Sequence, residues 1–111
     1  MTELEKTECY LSILKNINTI LELSNNLPQA LVVNKLVVLL QQNNNDTFID
    51  SINSVDFWGG SGSIWEVFIE DINLSEKFRK EIINLIDVME SNDILKRNIK
   101  PIRKLFRNSS Y

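Results

Sequence analysis

The run Leu27-Pro28-Gln29-Ala30-Leu31-Val32-Val33-Asn34-Lys35-Leu36-Val37-Val38-Leu39-Leu40-Gln41-Gln42 decides the fold class. Its valines suit a buried strand, which is the competing reading. A strand seldom passes about eight residues, whereas this run continues for more than eleven behind a proline, whose missing N–H costs nothing in a first helical turn. The run is therefore read as a helix from Leu27-Pro28 to about Gln42. Leu31, Val32, Val33, Leu36, Val37, Val38, Leu39 and Leu40 leave almost no polar side, so this helix is expected at the centre of the fold, covered from several directions. Its apolar stretch, Ala30 to Leu40, is too short to span a bilayer. No alternating strand pattern and no internal repeat occurs elsewhere. The chain reads as one all-α domain over residues 1–111, a bundle of five or six helices.

Upstream, Thr2 and Glu5 have capping-box spacing and start a first helix that runs to about Ser24. Its core stripe is Tyr10, Ile13, Leu14, Ile17, Ile20 and Leu21, at steps of three and four. Asn25-Asn26 ends it, because asparagine tolerates the left-handed conformation common at helix C-termini. Downstream of the central run, Asn43-Asn44-Asn45 is a loop, and Asp46 to Ser54 forms a short third helix with Phe48, Ile49 and Ile52 on one face. The next stretch, Phe57-Trp58-Gly59-Gly60-Ser61-Gly62-Ser63-Ile64-Trp65-Glu66, holds all three glycines and both tryptophans of the chain. Gly59, Gly60 and Gly62 mark a shaped corner between helices three and four. Ser63 and Glu66 have capping-box spacing and start helix four, with Ile64, Trp65, Phe68, Ile69 and Ile72 as its apolar face. Ser75 is the expected cap of helix five, whose seam is Phe78, Ile82, Leu85, Ile86 and Met89. Ser91-Asn92-Asp93 closes it. Residues 94–108 are a basic helical segment interrupted by Pro101.

A net charge of −3 over 111 residues conceals a strong polarity. Residues 1–75 carry ten acids and three bases, and residues 76–111 carry five acids and nine bases. Residues 36–75 contain Asp46, Asp50, Asp56, Glu66, Glu70 and Asp71 and no base at all. The acidic N-terminal stretch lacks the basic-then-apolar order of an export signal, and a single cysteine, Cys9, cannot form an internal disulfide. Both point to a cytoplasmic location. Without any histidine partner, Cys9 is read as inert.

The chain contains no histidine, so the commonest general base and metal ligand is missing and Ser–His or Cys–His nucleophiles are impossible. Asp46 with Asp50, and Glu66 with Glu70, would each stand one helical turn apart and could face a cation or act as an acid–base pair, but a solvated acidic face is the preferred reading, because no further acidic helix motif of the kind that builds carboxylate metal sites in bundles accompanies them. The glycine corner lacks the lysine of a phosphate-binding loop, and the acids around it repel anions. No enzyme, cofactor or metal is expected. Five of the nine aromatic residues, Phe48, Phe57, Trp58, Trp65 and Phe68, fall within positions 48–68. The tryptophans either pack across the corner or present a binding anchor, as tryptophan does in interaction hot spots. An acidic surface with an aromatic centre suits a basic protein partner, and Asp46, Asp50, Asp56, Trp58, Glu66, Glu70 and Asp71 are the candidate contact residues. The alternative is a nucleic-acid-associated regulator that uses Lys96, Arg97, Lys100, Arg103, Lys104 and Arg107. A lone basic helix of this kind is more often a solvated face or an intramolecular counterpart to the acidic half, and the overall acidity of the chain argues against nucleic acid.

Trp58-Gly59-Gly60-Ser61-Gly62-Ser63-Ile64-Trp65-Glu66 resembles a signature of small, uncharacterised, mostly helical bacterial proteins: an aromatic, Gly-Gly, any residue, Gly-Ser, then an acid three places on. Glu66 stands where that family usually has aspartate. In size, acidic surface and Asn/Ile-rich composition the chain also looks like the immunity proteins of bacterial contact-dependent and polymorphic toxin systems. That resemblance implies a non-enzymatic protein that binds and occludes a cognate toxin domain.

Overall fold

The computed structural model describes residues 3–60 and 62–108. Among them every regular element is helical: α1 (Glu3–Leu23), α2 (Leu27–Gln41), α3 (Asn45–Ile52), a one-turn α4 (Val55–Trp58), a 3₁₀ turn (Ile64–Glu66), α5 (Ile72–Ser91) and α6 (Lys100–Asn108). The valine-rich run is a helix, as its length and Pro28 require. The radius of gyration, 13.1 Å, matches the value of about 13 Å for one compact unit of this length. The Thr2 end of the expected capping box lies outside the described residues.

α1, not α2, is the central element. It packs on α2 along one flank and on α5 along the other, with α3 against α2 and α6 against α5. Leu14, Ile17 and Leu21 of its stripe are fully buried, with Tyr10 and Ile20 nearly so. α2 buries only Ala30, Val33, Leu36, Val37 and Leu40, while Leu31 and Val38 on its other side remain exposed. Apolar composition thus overstated its burial, because among the described residues nothing packs on the side of α2 that carries Leu31 and Val38.

The helix stops share one geometry. Asn25, Asn43 and Asp93 adopt positive φ of 64°, 58° and 60°. The N–H that follows each donates back to a carbonyl five residues earlier: Asn26 to Leu21 (2.8 Å), Asn44 to Leu39 (3.0 Å) and Ile94 to Met89 (3.0 Å). This is the Schellman closure that usually takes glycine. Here side chains with low left-handed cost serve at all three stops, and the glycines are left for the corner.

Two elements start elsewhere than their spacing suggests. The helix expected from Ser63 is only the 3₁₀ turn, followed by non-helical residues 67–70 that open on an extended Val67 (φ −61°, ψ 146°), and α5 begins at Ile72. Asp71 caps α5, its carboxylate accepting from the Leu74 N–H at 2.9 Å, so Ser75 lies inside the helix. An aspartate four residues earlier satisfies the free N–H groups first. Pro101 does not interrupt a helix either. It occupies the first turn of α6, where its fixed φ is favourable, and residues 94–99 form a non-helical connection. Asn53, buried, ties that connection to α3 by donating to the carbonyls of Ile49 and Ile94, both at 3.0 Å.

The basic C-terminal segment is held by α5. Arg103 donates to both carboxylate oxygens of Glu90 at 3.0 and 3.2 Å and to Asp87 at 2.8 Å. Lys100 adds a contact to Glu90 and Arg107 one to Asp87, each at 3.3 Å. The counterpart of these bases is therefore a pair of acids in their own half of the chain. Hydrogen bonds from Arg103, then from Lys100, hold the Glu90 carboxyl below its ordinary value of 4.5. A carboxyl lowered in the folded state stabilises the fold above its unfolded pKa and loses that contribution as pH falls through the folded one. Denaturant unfolding of Glu90→Gln beside the wild type should show a deficit at neutral pH that shrinks as pH drops below the ordinary value of 4.5. A deficit of constant size at every pH would show that ionised Glu90 is not favoured by its partners.

Candidate interaction site at the glycine corner

The corner is held by one carbonyl. Gly59 closes α4 by donating its N–H to Val55 O at 2.8 Å. Its own carbonyl then accepts from the Ser63 hydroxyl at 3.0 Å and from the Trp65 indole N–H at 2.9 Å. Ser63 is thus a buried clamp across the turn and makes no side-chain cap to the residues after it. A side chain at Gly59 has no room, since a Cβ there would stand 2.5 Å from Val55 O. Gly62 has φ of +86°, a conformation that costs other residues about 1 kcal/mol or more. Gln29 of α2 donates to the Gly62 carbonyl at 3.1 Å and docks the corner on the helix behind it.

The tryptophans stabilise the corner from inside. Trp58 is 4% exposed, its indole N–H donates to Ile52 O at 2.6 Å, and its ring lies 4.4 Å from that of Phe57. Its place as a contact residue is therefore corrected: a ring closed into the core offers no surface to a partner. Trp65 is half-buried and meets Phe106 of α6 edge-on at 6.3 Å, which joins the corner to the C-terminal helix. The two indoles serve opposite sides of the turn and do not stack on each other.

Among the described residues the exposed aromatic is Phe68, at 80%. Residues 67–70 are non-helical, and their burial alternates with a period of two and not 3.6. Ile69 turns into the core at 8% exposure, so Phe68 and Glu70 turn out. A helix from Ser63 would have placed Phe68 on the buried face. The signal against that helix was the Val67-Phe68-Ile69 run, whose residue types favour an extended backbone. Asn26 replaces a helical partner by donating to Phe68 O at 3.3 Å, which fixes the backbone that carries the ring.

The acids are divided by the fold. Glu66, Glu70 and Asp71 are exposed on either side of Phe68, and Glu70 and Asp71 line a shallow depression with Leu23, Ser24, Asn25 and Leu74 at the α1–α2 turn. Glu66 and Glu70 are not one helical turn apart, since no helix joins them. Asp46 and Asp50 are exposed on α3, where they do stand one turn apart, and Asp56 lines a different groove beside α2. None of the six forms an ion pair among the described residues. Among those residues no three His, Cys, Asp or Glu side chains cluster in a way that could hold a metal ion, and no helix is long and apolar enough to cross a membrane. Neither a scan of protein-family models nor searches of curated proteins and solved structures return a match.

The corner sets a direct test of this geometry. Gly59→Ala forces a methyl onto the Val55 carbonyl and should cost about 2 kcal/mol, read as a lowered midpoint of denaturant unfolding. Gly60→Ala, with nothing within 4 Å of the added Cβ, should leave the midpoint within about 0.5 kcal/mol of the wild type. Equal effects of the two substitutions would show that close approach at Gly59 does not shape the turn.

Proposed function

We propose that this chain is a non-enzymatic binding protein for a basic protein domain, acting in the cytoplasm, and most concretely an immunity protein that neutralises its cognate toxin by occlusion. One observation carries the reading: Phe68 stands 80% exposed between Glu66, Glu70 and Asp71, on a backbone held by the glycine corner and by Asn26. An exposed aromatic on an ordered backbone, flanked by unpaired charge of one sign, is the arrangement of an interaction hot spot. The ring supplies buried apolar area, and the acids around it steer a basic partner and set its register. Because the backbone is already ordered, little conformational entropy is lost on docking. The toxin-neutralising role rests on the resemblance in size, acidity and composition to immunity proteins, and the partner's nuclease character is a further step on the same reading.

The nucleic-acid alternative finds less support. Lys100, Arg103 and Arg107 of the basic segment already face Asp87 and Glu90, so half of its six cations are partly neutralised before any phosphate arrives.

Titration of the full chain against the product of the adjacent gene tests the proposal. Phe68→Ala should weaken binding by about thirtyfold, the equivalent of about 2 kcal/mol for a hot-spot aromatic. Charge reversal at Glu66 and Glu70 should slow association, more so at low salt. No binding of that product, or binding indifferent to both changes, would overturn the reading.

A further inference from the structure

The depression beside Glu70 and Asp71 does not end there. Leu23 and Leu74, which line it, also line a second depression that continues between α1 and α5, over Ile20, to Lys77 and Lys80. The two, of about 410 and 400 Å³, form one furrow. Its walls are antiparallel, since Asn16 of α1 donates to Glu81 of α5 at 3.1 Å, and Asn92, just past the end of α5, donates to the Tyr10 hydroxyl at 3.0 Å. From Asp71 to Lys80 the α5 wall rises about 15 Å at about 1.5 Å per residue, the length of about three helical turns.

We propose, on the basis of the partner-binding reading of Phe68, that this furrow receives an amphipathic helix of the basic partner domain. The helix is about three turns long, with its basic end over Glu70 and its acidic end over Lys77 and Lys80. Phe68, two residues before Glu70, and the furrow are then parts of one footprint.

Shape and backbone chemistry select a helix as the occupant. A furrow between two antiparallel helices takes a third along it, as in a bundle. Its apolar centre, where Leu23 is 67% and Ile20 5% exposed, meets the apolar stripe of the incoming helix, which is the helix-in-groove mode of recognition. An extended segment would find no strand edge here, since every regular element among the described residues is helical, and its N–H and C=O groups would go unpaired at the contact.

Charge selects the orientation. Glu70 and Asp71 stand at one end of the furrow and Lys77 and Lys80 at the other, all four exposed. None of them forms an ion pair among the described residues. Glu81 also lines the lysine end, but its two carboxylate oxygens already accept from Asn16 and Asn84, both at 3.1 Å. A uniformly basic segment would be repelled by the two lysines. A charge-polar helix turned end for end would set like charges together at both ends.

Titration of the full chain against the product of the adjacent gene tests this through the sign of one effect. Lys77→Glu/Lys80→Glu makes the chain more acidic, so attraction by acidity alone would tighten the binding of a basic partner; the furrow requires it to weaken, by about tenfold. Lys77→Arg/Lys80→Arg should bind as the wild type does. Leu23→Gln should weaken binding about fivefold with unchanged helical circular dichroism, since that side chain is already exposed. Binding that the glutamate pair leaves unchanged or tightens, an equal loss in the arginine pair, or indifference to Leu23→Gln would overturn the furrow as a helix site. In that case a loss at Phe68→Ala would still support the partner-binding role. A wild type that does not bind this product overturns both.

Discussion

Burial of the α1 stripe is the interaction on which the other elements depend. Leu14, Ile17 and Leu21 are closed to solvent on the helix that packs against both α2 and α5. Each such side chain contributes roughly 1.5–3 kcal/mol through the water it sheds. A short chain has few ways to reach that degree of closure. With α1 sandwiched, α2 and α5 each have one face committed, and α3 and α6 only need to cover their remaining edges. Tyr10 extends the same interface at the far end of α1, where its ring meets Phe48 edge-on at 5.2 Å and its hydroxyl accepts from Asn92 at 3.0 Å. Burial pushes that phenol's pKa up, with the Asn92 hydrogen bond opposing.

The connection from α4 to α5 solves a different problem. The chain has to cross from the α2–α3 side to the α1–α5 side in a few residues, and every backbone polar group it buries must find a partner. A continuous helix would satisfy those groups internally but would point the wrong way. Instead the Gly59 carbonyl takes two side-chain donors, Gln29 takes Gly62 O, and Asn26 takes Phe68 O. Side chains thus do the work of a hydrogen-bond ladder. The consequence for function is direct: the non-helical segment fixed in this way exposes every second residue, and Phe68 and Glu70 are the ones left outside.

Charge is sorted by the same folding. α6 brings its cations onto Asp87 and Glu90 and so consumes part of the basic half internally. The acids of residues 46–71 have no such counterpart and stay solvated at the surface. A polarity that is only a count along the chain becomes a surface on which the acids stand unneutralised in separate groups. Surface ion pairs of this kind add little stability. Their larger effect is on which charges remain available to a partner.

The all-α class, the α1 and α5 stripes and the stop at Asn25 were legible in the residues, since helical periodicity, Pro28 and asparagine at a helix end are local signals that act through adjacent backbone. The corner at Gly59–Gly62 was legible for the same reason, as three glycines in a chain with no others leave few uses. What the residues alone could not show was which apolar positions find a neighbour. Ile69 and Phe68 are adjacent and comparably apolar, yet one is core and the other surface, because Asp71 rather than Ser63 starts the next helix and the segment before it is left non-helical. Trp58, a candidate contact residue, is core, and Leu31, on a helix expected to be covered all round, is surface. Burial is a property of what packs against a residue, and only the arrangement of α1, α2 and the corner in space decides that.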